Sequence, residues 1–379
     1  MQFMEADRNI CDKLLPGLRQ QLAEIPLSEL ESEDSPAIEM FRAHGGTNLL
    51  VPASYGGLDA SALDAARVVR ALGAVAPSMT VATMMHHFSL GTLFAVAETV
   101  SQDSGLEEIL LSRIVGERML VASGFAEGRT GQGILTPTMR AEPVDGGFLI
   151  NGSKKPCSLS RSMDLLTASV AVHRADGSVD MGFLLLPADT PGIGVHPFWS
   201  SFALAGAESD EVRLTDVHVT DAQILRPPAE MIDELTELQE VGLIWFELIV
   251  CASYTGIASA LVDRVLRRER GSAADRAALA VCIESAAALT EGLARMLMDG
   301  DTDNEGLGTA LVTRFTVQDQ IRTAVLQAVE LLGGMAYVSS SDVAYLAAAA
   351  QAIAFHPPSR TSMIDGLLDY YAGEPLVVS

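Results

Sequence analysis

The stretch Phe148-Leu149-Ile150-Asn151-Gly152-Ser153-Lys154-Lys155-Pro156-Cys157-Ser158 interrupts a chain that otherwise reads as helix. Short β-rich runs of the same texture follow at Leu165 to Val172, Met181 to Leu186 and Val212 to Val219, separated by Gly, Asp and Pro. They predict a small β-domain over residues 120–226. Upstream, over residues 1–119, Leu14, Leu15, Leu18 and Leu22 recur at helical spacing and Ala62 to Leu72 repeats the period. Pro52, Gly56, Gly57 and Pro77 mark the turns there. Downstream, over 227–379, Arg226-Pro227-Pro228 opens onto helices from Ile232 to about Leu297 and from Gly308 to Leu332, and an Ala-dense run closes the region from Ala344 to Ala354. The predicted class is α+β: an N-terminal α-helical domain, a middle β-domain and a C-terminal helical bundle.

The 379 residues are 49% hydrophobic and 20% charged, so the chain can bury enough apolar surface to offset its conformational entropy. Its formal charge of −24 repels phosphate backbones and anionic lipid headgroups, which argues against nucleic acid or a membrane as a partner. Met1 to Asp12 carries acids and no apolar core of a signal peptide. The longest apolar stretches, Val241 to Ala252 and Ala344 to Phe355, are short of a bilayer span. Cys11, Cys157, Cys251 and Cys282 stand far apart without a CxxC, so neither a disulfide framework nor a metal site is expected. A reducing cytoplasm is the expected compartment.

No HExxH, GxSxG or GxxxxGK[ST] occurs, which removes the usual support for zinc proteases, serine hydrolases and P-loop enzymes. Gly128, Gly131 and Gly133 precede β-rich sequence and do not link a strand to a helix, so they fail the context of a dinucleotide-binding turn. A series of segments in order carries a different message. Val51-Pro52 with Tyr55-Gly56-Gly57, and Met84 to Leu90 around His86-His87, come first. Phe125-Ala126-Glu127 with Gly131 and Ile150-Asn151-Gly152-Ser153-Lys154 follow, then Glu211-Val212 through Val219, and finally Ala328 to Tyr337 around Gly333-Gly334. Together they resemble the acyl-CoA dehydrogenase superfamily over nearly the whole chain.

That resemblance implies FAD. A flavin needs backbone or hydroxyl donors at its N5, O4 and pyrimidine edge, because reduction places negative charge there. Ala126, Gln132 and Ser158 occupy the matching positions, and the resemblance brings Phe125, Gly131, Pro156 and Cys157 into the same loops. The sequence departs from the pattern where Pro156 replaces an aromatic, Ala126 a threonine and Gln132-Gly133 a Ser-Asp pair. For the far end of the cofactor, the resemblance implies Arg268, Arg270, Glu330, Gly333, Gly334 and Ser359. Glu330, in place of a glutamine, repels a pyrophosphate unless Arg268 or Arg270 intervenes.

Two residues are candidates for a catalytic base. His356 sits where most relatives carry a glutamate, and its ordinary pKa lies near neutrality; its other role is to cap the helix before Pro357-Pro358. Glu247 has apolar neighbours in every helical direction, so desolvation raises its pKa toward that of a useful base. Its other role is a buried ion pair with Arg314 or Arg322. The expected activity is flavin-dependent dehydrogenation of an acyl or aminoacyl thioester in polyketide or nonribosomal-peptide metabolism. The substrate would ride on an acyl or peptidyl carrier protein docked at Arg264, Arg267, Arg268 and Arg270. Two alternatives stay open: a flavin monooxygenase, with room for oxygen beside Pro156, and a flavin-free partner subunit. A homodimer or homotetramer is expected.

Overall fold

The computed structural model describes residues 2–99, 106–128, 137–173, 179–225 and 232–378. Seven helices come first: α1 (Glu5–Leu14), α2 (Leu18–Glu24), α3 (Leu27–Leu30), α4 (Ala37–Ala43), α5 (Ala62–Gly73), α6 (Pro77–Thr99) and α7 (Leu106–Glu117). Eight strands follow: β1 (Val121–Gly124), β2 (Arg140–Val144), β3 (Gly147–Cys157), β4 (Leu165–His173), β5 (Val179–Pro187), β6 (Ile193–His196), β7 (Asp210–Val219) and β8 (Ile224–Leu225). The chain closes with α8 (Ile232–Arg267), α9 (Ala273–Asp299), α10 (Asn304–Leu332), α11 (Gly334–Ser339), α12 (Ser341–Gln351) and α13 (Ile364–Tyr371). The class is α+β, with helices on either side of the β-domain in the sequence.

Local chemistry sets several helix starts. The Ser61 hydroxyl accepts from the Asp64 N–H at 3.1 Å to open α5, and Ser272 with Asp275 forms a reciprocal capping box at α9. Asp303 accepts from the Gly306 N–H at 3.0 Å to open α10. The strands form one sheet in the order β6-β7-β3-β2-β4-β5-β8, with β1 running parallel beside β4. Asn151-Gly152 lies within β3, at a register shift against β7. Gly152 has φ +152°, and a Cβ there would stand 2.5 Å from Met139 Cγ. The shift bends β3, as an extra residue in one strand of a pair does.

α8 is the spine of the bundle and packs against α5, α6, α9 and α10. It crosses α5 backbone to backbone: a Cβ on Gly256 would sit 2.2 Å from the Arg70 carbonyl oxygen, so only glycine permits the approach. Two segments, Gln239–Arg267 and Ala273–Asp299, are long and apolar enough to cross a bilayer, contrary to the expectation drawn from uninterrupted apolar runs alone. In the first, 89% of the most apolar window is covered by the rest of the protein. That helix spends its apolar surface on core packing.

Polar contacts join the parts. The buried Glu31 accepts from the Ser78 N–H at 3.0 Å and the Ser78 hydroxyl at 2.5 Å, and the Tyr345 hydroxyl donates to it. Tyr345 Oη in turn accepts from the Leu204 N–H at 3.0 Å, so one carboxylate links α3, α6, α12 and a β-domain loop. His86 accepts from the Val121 N–H at Nδ1, 3.1 Å, which leaves Nε2–H to donate to the Thr47 carbonyl at 2.9 Å. Burial, opposed by that bond, pushes the His86 pKa down to about 4, so it joins α6 to β1 as a neutral ring.

Candidate active site

The two loops expected to face a flavin do meet. Phe125 and Ala126 follow β1, Pro156 and Cys157 end β3, and the Lys155 N–H donates to the Ala126 carbonyl at 2.8 Å. Beneath them Glu127 and Lys154 form a buried ion pair at 2.8 Å. Glu127 also accepts from the Thr138 and Met139 N–H groups, at 2.9 and 3.0 Å, and from the Thr138 hydroxyl. Burial alone would raise its pKa, but Lys154 and these donors hold it at about 2. The pair pins the strand ends that shape the loops. Among the described residues the Ala126 N–H donates to nothing, and the Ser158 hydroxyl meets only the Ser209 hydroxyl, at 2.9 Å.

Cys157 needs correction as a cofactor contact. A second register shift between Lys154 and Cys157 turns its side chain inward, where Sγ lies 3.8 Å from the Ser123 carbonyl and burial pushes the thiol up to about 12. Gly131 and Gln132 lie outside the described residues.

From these loops a row of rings runs into the bundle. Phe125 touches Phe183 at 6.0 Å and Phe88 at 6.3 Å between ring centroids; Phe88 meets Phe246 at 5.7 Å, and Phe246 meets His356 at 6.2 Å. The row ends at Tyr254, whose hydroxyl lies 2.6 Å from His356 Nε2. Tyr254 is fully buried and has no other polar partner among the described residues, so its proton must go to Nε2. His356 is therefore the Nδ1–H tautomer, a donor with no described acceptor. Burial, then the charge of Arg314, pushes its pKa down to about 3 and keeps the ring neutral. Sequence reasoning offered His356 as a base or a helix cap and did not join Tyr254, Phe88, Phe183 or Phe246 to it.

Glu247 is not on this row. It lies in the bundle core with its side chain 1% exposed, and Oε2 is 3.0 Å from Arg314 Nε. The two groups meet at an angle that leaves both carboxylate oxygens without a hydrogen bond. Burial raises the Glu247 pKa to about 7 against the opposing charge of Arg314. The second guanidinium arm of Arg314 donates to the Ile353 carbonyl, three residues before His356. Of the two roles open for Glu247, the geometry matches the ion pair; a base for substrate does not fit a carboxylate closed against a guanidinium.

No family model matches the chain. Over 378 residues it is 50% identical to the isobutylamine N-hydroxylase of Streptomyces viridifaciens, and the match covers 100% of each chain. Over 332 residues it is 23% identical to the cyclohex-1-ene-1-carbonyl-CoA dehydrogenase of Geobacter metallireducens, covering 81% of this chain and 82% of that one. The FMN-bound structure of TdsC, a dibenzothiophene monooxygenase of Paenibacillus sp. A11-2, matches with TM-score 0.83 at 16% identity and 99% coverage of both chains.

The chain belongs to the acyl-CoA dehydrogenase superfamily.

Like other enzymes of this superfamily it is a flavin-dependent oxidoreductase. The residues present fit a flavin: a backbone donor at Ala126 with no partner among the described residues, a hydroxyl at Ser158 and apolar rings beside them. The residues expected at the far end of FAD are elsewhere. Arg268 and Arg270 follow the end of α8, about 33 Å along that helix from Phe246 at 1.5 Å per residue. Glu330 is exposed on α10, and Gly333 and Gly334 follow it. Gly271 packs against Leu331, so these superfamily landmarks cluster at one end of the bundle, away from the loops of the same chain. Ser359 accepts from the Ser362 N–H at 3.2 Å and shapes its own turn.

Proposed function

We propose that this enzyme hydroxylates the nitrogen of a small primary aliphatic amine, using reduced flavin and dioxygen. One amine, one dioxygen and one reduced flavin give one hydroxylamine, one water and one oxidised flavin. The observation that carries this reading is the ring row: phenyl rings ending in one neutral donor, with the candidate base Glu247 held in an ion pair. End-to-end likeness to an amine N-hydroxylase supports it. A bound reduced flavin supplies the two electrons that divide dioxygen between the product hydroxyl and water. The protein's part is to bind the amine neutral and to exclude water. Among the described residues no carboxylate lies in the ring row to compensate an ammonium, so the amine sheds its proton before it enters. The Nδ1–H of His356 then holds the oxygen or nitrogen lone pair in place. FAD and FMN both satisfy the loops, and the choice between them is a matter for titration.

The test is isotopic. With chemically reduced flavin, isobutylamine and ¹⁸O₂, the product should be the hydroxylamine carrying one ¹⁸O. Its kcat/KM should rise about tenfold per pH unit toward the amine pKa near 10.4. Anaerobic desaturation of an acyl thioester, with no amine oxidised, would overturn the reading.

That second reading, oxidation of a thioester on a carrier protein, is supported by the likeness to a CoA-thioester dehydrogenase. It meets two obstacles: Glu247 is closed against Arg314, and the docking patch is partly spent. Arg264 pairs with Asp342 at 3.0 Å and Arg267 pairs with Asp263. We also propose self-association. Met335, Val338, Phe355 and Leu368 are 63–83% exposed on the C-terminal elements, and only a second copy could bring Arg268 and Arg270 to a flavin. A monomeric mass by light scattering at micromolar concentration would refute this.

A further inference from the structure

A cavity of about 500 Å³ opens beside the flavin loops, lined by Thr138, Ser153, Lys155, Arg213 and Thr215. We propose that it seats the phosphate nearest the ribityl chain of the flavin, an inference that rests on the flavin reading above. Three observations lead there. First, the charges do not cancel within the cavity. Lys155 Nζ and Arg213 Nη2 share a single carboxylate, Glu211, at 3.2 and 2.7 Å. Glu127 also borders the cavity, but Lys154 neutralises it. One positive charge is left facing open space, in a chain whose overall charge of −24 would otherwise repel any phosphate.

Second, the chain contains only three lysines, Lys13, Lys154 and Lys155, among 25 basic residues. Two of the three stand side by side here, one buried to hold the loop and one in the cavity. Arginine serves nearly everywhere else, so a compact ammonium at this point is a specific demand, and it is the group that binds phosphate as a point charge. Lys155 is held in place from the other side, with Nζ 5.5 Å above the Phe198 ring.

Third, the cavity is continuous with the loops that offer donors to the ring system. Lys155 precedes Pro156 and Ser158 on the same strand end, and Gly128, another lining residue, follows Ala126 and Glu127. Thr215 adds a neutral hydroxyl of the kind that completes a phosphate's shell, while Ser153 bonds to Glu211 and holds that carboxylate in place. The chemistry recognised is a phosphoryl dianion, carried by the flavin or free in solution.

The experiment titrates oxidised FMN and riboflavin into the enzyme by quenching of flavin fluorescence, for wild type, Lys155→Met, Arg213→Gln and the double variant. Wild type should bind FMN at least about tenfold more tightly than riboflavin, the scale of one charge-assisted contact. The double variant should bind the two flavins equally, with riboflavin affinity unchanged and an unaltered circular dichroism spectrum. Inorganic phosphate should compete with FMN in wild type and not in the double variant. Equal losses for both flavins would show that these residues support the loop, and an unchanged FMN affinity would place the phosphate elsewhere; either result overturns the proposal. If wild type binds neither flavin, the flavin reading fails by itself. In that case phosphate should still raise the melting temperature of wild type and not of the double variant, and its failure to do so would sink the anion site as well.

Discussion

Two buried carboxylates, each paired with a basic side chain, behave in opposite ways. In the β-domain Glu127 meets Lys154 and three further donors from Thr138 and Met139, and its pKa falls to about 2. In the bundle Glu247 meets Arg314 at 3.0 Å without an aligned hydrogen bond, and its pKa climbs to about 7. Distance to the partner charge is nearly the same. The difference is that Glu247 is the more deeply desolvated and has fewer dipoles aimed at it, so burial is offset at Glu127 and not at Glu247. Hence Glu127 is a permanent anion that fixes a loop, while Glu247 is a group the fold barely keeps charged.

The largest effect should come from breaking the well-donated pair. Lys154→Met leaves Glu127 anionic and buried, at a cost of about 3–5 kcal/mol. Thermal melting should show this loss, and flavin binding should go with it because the strand ends bearing Ala126 and Lys155 are no longer held together. A variant of near-wild-type stability would mean that the Thr138 and Met139 donors suffice alone.

Glu247→Gln should give the next largest effect, and on a different axis. The unfolded glutamate titrates near 4.5 and the folded one near 7, so between these values the folded state holds a proton the unfolded state has lost. Wild-type stability therefore falls as pH rises from about 4.5 to about 7, by on the order of 3 kcal/mol, and levels off above. The amide cannot titrate, so the variant should lack this slope while its amine hydroxylation stays within about twofold of wild type. Loss of turnover by a hundredfold or more at unchanged flavin content would restore Glu247 as the base.

The fold was legible because local patterns encode local structure: the β-rich runs from Phe148 to Val219 and the helical leucines at its flanks each declare their own element. The burial of Glu247 was legible for the same reason, and Arg314 was one of two arginines available to it. What could not be read is whatever joins distant segments. Tyr254 and His356 are 102 positions apart, and the ring row draws Phe88, Phe125, Phe183 and Phe246 from four separate parts of the chain. Cys157 was misplaced for a subtler reason. The resemblance brings Cys157 in with its loop and says nothing of its facing; Phe148, Ile150 and Lys154 face inward at even positions, and the register shift before Cys157 turns that odd-numbered side chain inward as well.

The smallest effect belongs to the Tyr254–His356 pair, and it separates two roles for the histidine. With a pKa near 3, His356 stays neutral across the working range, so no inflection near 6.5 should appear in the rate profile between pH 5 and 9. Tyr254→Phe removes the donor that fixes the tautomer, at a cost of about 1 kcal/mol in stability and about tenfold in kcat. A neutral donor can be replaced by another: the side-chain amide of His356→Asn presents an N–H near the Nδ1 position, so this variant should keep a substantial part of the rate that His356→Leu loses. A base cannot be replaced that way, because an amide does not take up a proton at neutral pH. If Asn and Leu are equally inactive and an inflection appears in the wild-type profile, His356 works as a base, its pKa in the working complex is far above the value the ring has beside Arg314, and that complex must bring a compensating negative charge close to it.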